Sequence, residues 1–444
     1  MKFQKSLKTK TLIFFSIVLP GVFLSNSIET SILRNSKKEV IDHVWQIIYR
    51  DFLDSEGAFV RSDWVDLRKE YLSRDYSNDK EAYDAIRTML ATLNDPYTRF
   101  LDPDEFYEMR IDTSGELTGI GIQIIKDTET DQLKIVSPIE GTPASLAGLQ
   151  SNDIIISIDD ISTTGMNIDE AVGLIRGVSG TEVELGIMRD GNIFYRSLVR
   201  ERIEIKSVIS KINVTKEGFL IGYIRIKQFN ANASNELSDI LLEMEGEEVS
   251  GYILDLRSNP GGLLDSSIEI SRLFINSGII VSTLTRDGLR EVTRANNTAL
   301  TTKPLIVLVN EGSASASEIL SGAIKDNERG LLVGKTTFGK GLVQSMRTLI
   351  DGSGLTVTVA KYLTPNGTDI NKSGIEPDID VSMNVIILNE EIGTSRDRQY
   401  RVGEKELIKI IKLQSENDLT SFNPSSTNPE VALSINNDLS VYVL

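Results

Sequence analysis

No cysteine occurs among the 444 residues, which removes disulfides, thiolate nucleophiles and Cys-ligated zinc from consideration. Histidine is nearly absent as well: the chain has one, His43, close to the N-terminus. A histidine-dependent serine triad or an HExxH zinc site is therefore very hard to build, and acid–base chemistry must rest on Lys, Asp, Glu or Tyr. His43 itself reads as a partly buried residue of an N-terminal helix. The chain also lacks a basic surplus. Its 47 Lys and Arg against 64 Asp and Glu leave a formal charge of -17, which argues against partners rich in phosphate such as nucleic acid. The acidic excess reads as a solvated surface that aids solubility. With 40% hydrophobic and 25% charged residues the composition is that of a soluble globular protein, and the length suits two to four domains.

The N-terminus reads as an export signal. Lys2, Lys5, Lys8 and Lys10 precede an apolar run from Leu12 to Leu24, whose 13 residues include Pro20 and Gly21. As a helix that run spans only ~20 Å, short of the ~30 Å hydrocarbon core of a membrane. Small residues, Ser25 to Ser27, follow where cleavage would fall. Residues 1–27 are expected to be a signal peptide or, if uncleaved, a signal anchor; a lipoprotein anchor is excluded by the missing cysteine.

Beyond it, residues 39–110 carry helical spacing (Val40, Val44, Ile47, Ile48), with a further helix expected over 80–93 and a break at Asn94-Asp95-Pro96. This segment reads as a helical cap or dimerisation element, and no chemistry is assigned to it. Residues 115–202 change to short β runs punctuated by Gly and Asp, with a helix over 168–176 capped by Asn167 and stopped by Gly177. Two motifs specify this module. Gly119-Ile120-Gly121-Ile122 can turn backbone N–H groups toward one point, as capture of a terminal carboxylate requires. Gly141-Thr142-Pro143-Ala144, running through Gly148 into Asp153-Ile154, is a helical turn feeding a strand. In this order they resemble a bacterial-type PDZ domain. From residue 203 to 385, strands and helices alternate as in an α/β layer fold, whose sites gather at the C-terminal ends of strands. Residues 386–444 form a C-terminal extension, helical around 404–413 and Ser/Asn-rich, read as mobile, over 415–437.

Three segments of the α/β region could carry chemistry. In Asp255-Leu256-Arg257-Ser258-Asn259-Pro260-Gly261-Gly262 a strand runs into a paired-glycine turn whose amides could stabilise an oxyanion, or which is an ordinary strand-to-helix turn. In Gly312-Ser313-Ala314-Ser315-Ala316-Ser317-Glu318, Ser315 stands between a strand and a helix. That is a good place for a nucleophile, but Ser315 and Glu318 also spell a capping box. The third, Gly330–Gln344, invites a phosphate-loop reading that fails on spacing. Gly330 to Gly334 is one residue short, and Gly341 replaces the Ser/Thr that would hold magnesium after Lys340. No nucleotide is therefore expected. A lysine between Gly339 and Gly341 could instead be desolvated, which lowers its pKa and makes it a base.

Together these motifs resemble the carboxyl-terminal processing peptidases, or tail-specific proteases, over about residues 38–412. The shared stretches are Asp95-Pro96-Tyr97-Thr98-Arg99-Phe100-Leu101, the PDZ segments, and the three segments above. The resemblance implies a multidomain α+β protein: an N-terminal helical segment, a PDZ β-sandwich domain, a crotonase- or Clp-like ββα serine protease core, and a short C-terminal helical tail. It implies Ser315 as nucleophile, Lys340 as base, Gln344 orienting the lysine, oxyanion donors at Gly261 and Ala316, and supporting roles for Glu318 and Asp326. It also implies capture of the substrate's C-terminus on Gly119, Ile120, Gly121 and Ile122, coupled to catalysis by Arg176. No metal or cofactor is required. Residues 71–76 and 82–93, with Gly393-Thr394 to Gln399-Tyr400, are similar to the cyanobacterial and plastid branch. That branch matures the C-terminal extension of a photosystem II reaction-centre protein, a membrane-associated substrate, in the thylakoid lumen or periplasm. A general periplasmic tail-trimming protease and an inactive PDZ scaffold are the competing readings, and monomer and dimer both stay open.

Overall fold

In a computed structural model the described residues are 37–421, apart from 56, 128–129 and 383–388. The expected signal segment and the tail beyond 421 lie outside them.

Three helices, Lys37–Asp51, Arg61–Ser73 and Asp79–Ala91, form the N-terminal unit. Their apolar faces enclose Val44, Ile48, Trp64, Ile86 and Met89. Asn78 caps the third helix by accepting from Glu81 N–H. His43 is half-buried on the first helix. The unit is not purely helical. After the 94–96 break, Arg99–Leu101 forms a strand paired antiparallel with Gly354–Leu363 near the other end of the chain. Leu355 and Val357 of that partner strand belong to the same core as the helices. A capped helix, Pro103–Ser114, then leads to the next unit, closed by the left-handed Gly115 at φ 73°.

Strands Glu116–Gly119 and Glu201–Glu204 pair with each other as the chain enters and leaves the PDZ unit. Within it, the strand path runs Ile122–Lys126, Leu133–Pro138, Ile154–Ile158, Glu182–Arg189, Asn192–Val199, all antiparallel. The helix Ile168–Ile175 opens on the expected Asn167 cap, reciprocated by Glu170. It packs with the Pro143–Leu146 turn over a core of Ile135, Ala144, Ile155, Ala171 and Leu185.

The remaining unit has two sheets. In the first, strands run in the order Val208–Val214, Leu220–Ile226, Gly251–Asp255, Leu305–Val309, Leu331–Gly334, Ile379–Asp380, parallel except for the first pair. Its central strands are fully buried and, apart from Asp255, lack charge, as a sheet covered on both faces requires. Helices Ala233–Gly246, Leu264–Phe274 and Ala316–Asp326 contribute to the core on one face. The helix Arg398–Ser421 covers the other through Leu407 and Ile411. It begins earlier than the sequence predicts and runs through 415–421, where the Ser/Asn content predicts mobility. Ser415 turns its hydroxyl back onto the Ile411 carbonyl instead of breaking the helix. The second sheet, Arg99–Leu101, Gly354–Leu363, Ile279–Thr285 and Arg290–Arg294 with Leu342–Thr348 on Gly354–Leu363, is antiparallel. It therefore links the N-terminal unit, through Gly354–Leu363, to the strand that follows Lys340.

Candidate active site

The strand Leu305–Val309 leads through a turn into the helix Ala316–Asp326, and Ser315 occupies the junction at φ 54°, ψ -111°. A non-glycine residue there is strained by on the order of 1–3 kcal/mol, a conformation that persists where the surroundings impose it. The imposing contacts are visible in the neighbouring serines. Ser313 Oγ donates to the Leu256 carbonyl at 2.7 Å and Ser317 Oγ to the Asn259 carbonyl at 2.9 Å. Ala314 N–H donates to that same Asn259 carbonyl at 3.0 Å, and Asn310 Oδ1 accepts from Ser258 N–H at 2.8 Å. Two of the three serines thus staple this turn to the 255–262 segment. Ser315, between them, lines a cavity of about 510 Å³. Ser315 and Glu318 form the expected capping box, whose Glu318 half is the bond that Ser315 N–H donates.

Glu318 is fully buried one turn into the helix. Its Oε2 accepts from Ser315 N–H and Lys340 N–H, each at 2.9 Å. Its Oε1 accepts from Gly339 N–H at 2.7 Å and the Thr337 hydroxyl at 2.6 Å. One carboxylate therefore ties the backbone of the expected nucleophile to that of the expected base. Asp326, at the far end of the same 11-residue helix, lies about 15 Å away along its axis and accepts from Asn366 N–H. The supporting role expected for Asp326 finds no contact at the site, because a helix's length separates it from Ser315.

Lys340 lines the same cavity as Ser315. Its Nζ lies 4.8 Å from the centroid of the Tyr97 ring and, among the described residues, makes no hydrogen bond to Ser315 Oγ. Burial pushes its pKa down from the ordinary lysine range and Arg99 adds to this, while Asp95 and Glu318 oppose it. Gly339, at φ 88°, approaches Gly374 N so closely that a Cβ would sit 2.9 Å from it. The glycines flanking Lys340 thus serve a tight crossing and not a phosphate. Gln344 also lines the cavity, but its Nε2 donates to Thr358 Oγ1 at 3.3 Å, not to Lys340.

Of the expected oxyanion donors, Ala316 N–H belongs to the first residue of the helix, where amides have no intrahelical partner. Gly261 differs from expectation. Its N–H donates to Asn259 Oδ1 at 2.9 Å, so it is already committed in this conformation. It lies close to the expected nucleophile, since a Cβ on it would come within 2.9 Å of both Ala316 N and Ser315 Cβ.

Sequence reasoning missed two groups. Pro96, Tyr97 and Arg99, and Met109 and Thr113 of the next helix, line the cavity, although the sequence assigns no chemistry to residues 39–110. Beneath the 258–262 turn, Arg257 bridges Asp255 (2.6 and 2.9 Å), Asp397 (2.6 and 3.0 Å) and Gln399 (3.0 Å) in a buried network that anchors the C-terminal helix. The spacing of Asp397 and Gln399 from Arg257, about 140 residues, gave no local signal.

In the PDZ unit Gly119, Ile120, Gly121, Ile122 and Arg176 come together around a small cavity of about 80 Å³ with Val172 and Ile175. The Ile120 and Gly121 carbonyls are taken by Ala144 and Ile139 N–H groups. Gly121, at φ 78°, packs where a Cβ would strike Thr142. Arg176 forms an ion pair with Glu108 on the helix that carries Met109 and Thr113 into the large cavity.

Residues 220–381 match the model of peptidase family S41, and residues 134–189 match a PDZ domain. The carboxyl-terminal-processing protease of Synechocystis sp. is 42% identical over 87% of this chain and 90% of its own. The chain belongs to the carboxyl-terminal-processing proteases of peptidase family S41. It is thus a serine-type peptidase. A chloroplastic carboxyl-terminal-processing peptidase of Arabidopsis thaliana is 40% identical over 75% of this chain and 67% of its own. The carboxy-terminal processing protease of Bacillus subtilis is 38% identical over 73% and 69%. A solved photosystem II D1 C-terminal processing protease is 34% identical with a TM-score of 0.51, covering 80% of this chain and 96% of that one. Among the described residues no helix is long and apolar enough to cross a membrane.

Proposed function

We propose that this protease cleaves near protein C-termini with Ser315 as nucleophile and Lys340 as general base. The observation that carries the assignment is the division of labour in Gly312–Glu318. Ser313 and Ser317 spend their hydroxyls on the 255–262 segment, whereas Ser315 faces a cavity it shares with a desolvated lysine. Neutral Lys340 takes the proton from Ser315 Oγ as that oxygen attacks the scissile carbonyl. The developing oxyanion is met by Ala316 N–H, and by Gly261 N–H once it exchanges Asn259 Oδ1 for the substrate oxygen. Lys340 then passes the proton to the leaving amine, and water hydrolyses the Ser315 ester. The reaction needs no metal or cofactor, and Gln344 shapes the pocket wall beside the lysine. The lining of Met109, Leu264, Ile319, Leu342 and Met346 suits an apolar substrate side chain.

The substrate's terminal segment adds to the PDZ groove, with its carboxylate at Gly119–Ile122. Arg176 relays its arrival through Glu108 to the helix bearing Met109 and Thr113. Export to the thylakoid lumen or periplasm and maturation of a photosystem II reaction-centre protein complete the reading, supported by the cyanobacterial and chloroplastic relatives. A general tail-trimming protease is the second reading, favoured by the Bacillus subtilis relative. The test is cleavage of a protein ending in an apolar tail. Ser315→Ala and Lys340→Ala should be silent while remaining folded, and cleavage that persists in either would end the dyad assignment. Mass spectrometry of C-terminally extended proteins in cells lacking the protease then separates the two substrates.

A further inference from the structure

The Asp95–Arg99 segment is held with unusual care for a connection between a helix and a three-residue strand. Asp95 Oδ1 accepts from Tyr97 N–H at 3.0 Å, and Asp95 Oδ2 accepts from the hydroxyls of Thr98 and Thr358, both at 2.7 Å. The Tyr97 carbonyl accepts from Thr356 Oγ1 at 2.8 Å. Tyr97 is thus clamped at both ends of its own backbone. The ring so fixed is the one that Lys340 Nζ approaches to 4.8 Å, a distance for contact with an aromatic face. Thr358, which donates to Asp95, also receives Gln344 Nε2, so the clamp reaches the strand that follows the lysine.

We propose that Tyr97 is a positioning residue for Lys340: its ring, fixed by Asp95 and Thr356, forms the wall against which the lysine head group is held and kept from water. The N-terminal helical unit thereby completes the active site instead of merely covering it. This rests on Lys340 being the base. The charged and titratable groups that face Lys340 are Asp95, Tyr97 and Arg99 from this segment and Glu318 from the Ala316–Asp326 helix, with Tyr362 lining the same cavity and Lys372 acting on Tyr97. Burial is the largest cause of the lowered lysine pKa, so removing the ring and admitting water raises it.

The test measures kcat, KM, the pH profile of kcat and the melting temperature of full-length variants on one peptide substrate. Tyr97→Ala should lower kcat on the order of 10- to 100-fold, as loss of alignment does. Its KM should change by less than about threefold, and its acidic limb should move to higher pH. Tyr97→Phe should recover both rate and limb, because the face of the ring and not the hydroxyl meets the amine. A Tyr97→Ala variant with the parent's kcat and limb overturns the proposal, as does Tyr97→Phe impaired like Tyr97→Ala. If Tyr97→Ala loses its fold, Tyr97→Leu replaces it with the same signs expected, and a Leu variant with the parent's limb is equally fatal. Lys340→Ala run alongside separates the failures: activity there defeats the dyad, whereas silence there with a normal Tyr97→Ala defeats only this inference.

Discussion

Glu318→Gln is the substitution on which the geometry makes its sharpest statement. The carboxylate accepts four bonds, from Ser315 N–H, Lys340 N–H, Gly339 N–H and the Thr337 hydroxyl, with no solvent to replace any of them. A glutamine offers one oxygen and one NH2. With the NH2 toward Ser315 and Lys340, two buried donors face a donor, a cost of roughly 2–6 kcal/mol. Turned over, the amide oxygen keeps those two bonds and the Thr337 oxygen can accept from the NH2, leaving Gly339 N–H unpaired at about 1–3 kcal/mol. The flipped amide wins, so the variant should fold with that loss, read by urea unfolding. Its catalytic defect comes through Gly339. If the base shifts with its neighbour, kcat/KM falls on the order of 100-fold, the effect of a misplacement near 1 Å. The pH profile supplies an independent sign. Glu318 favours charged Lys340, so neutralising it lowers the lysine pKa further and moves the acidic limb of kcat/KM to lower pH, opposite to Tyr97→Ala. A folded Glu318→Gln enzyme with the parent's rate, or with its limb displaced upward, would refute the reasoning.

Two further outcomes follow from buried charge. Burial and Arg99 disfavour the charged form of Lys340, so the folded protein releases this proton more readily than the unfolded chain does. Lys340→Met should therefore raise the melting temperature while abolishing activity. The gain should be full below the folded pKa and shrink as pH climbs from there toward the ordinary lysine value of 10.5. For Asp397, burial pushes the carboxyl pKa up, but Arg257 and the N–H groups of Gly393 and Tyr400 outweigh it and hold the value down. Its stabilisation is present above the ordinary value of 3.8 and is lost as pH falls through the depressed one. Asp397→Ala, which strips two bonds from buried Arg257, should cost roughly 3–5 kcal/mol in denaturant unfolding near neutral pH.

What the sequence discloses is mostly local. The strand Leu305–Val309 and the helix Ala316–Asp326 are legible residue for residue, since an unbroken apolar run and a following S-x-x-E determine them without reference to anything distant. The Asn167 cap is legible for the same reason. The strand Gly354–Leu363 escaped notice because its neighbours are Arg99–Leu101, Ile279–Thr285 and Leu342–Thr348, three segments that no short window contains together. The chemistry divides along the same line. Ser315 stands out where a strand meets a helix. That Ser313 and Ser317 are structural depends on carbonyls more than 50 residues away, those of Leu256 and Asn259. The commitment of Gly261 N–H to Asn259 is a two-residue contact, yet it depends on a side-chain rotamer that residue identities do not fix.

The distribution of parts around the cavity bears on how such an enzyme can be kept idle. The backbones of Ser315 and Lys340 are fixed to each other by Glu318, so neither can be withdrawn without unpairing buried donors. What is not yet made is the bond to Ser315 Oγ from Lys340, whose head group Tyr97 holds in the shared cavity, and the Gly261 amide is still taken by Asn259. Both need only a rotation or an exchange of one hydrogen bond to become competent, changes of a few kcal/mol at most. Both also lie beside elements governed from outside the catalytic unit: Tyr97 belongs to the N-terminal unit, and Met109 and Thr113 share a helix with Glu108, the partner of Arg176. Under the proposed coupling, a rigid scaffold with two such adjustments would let binding at the PDZ groove decide when Ser315 is activated. Such an arrangement predicts that Arg176→Ala alters kcat on tailed substrates more than on short peptides that cannot reach the groove. Equal effects on both would place Arg176 in the folding of the PDZ unit and not in its signalling.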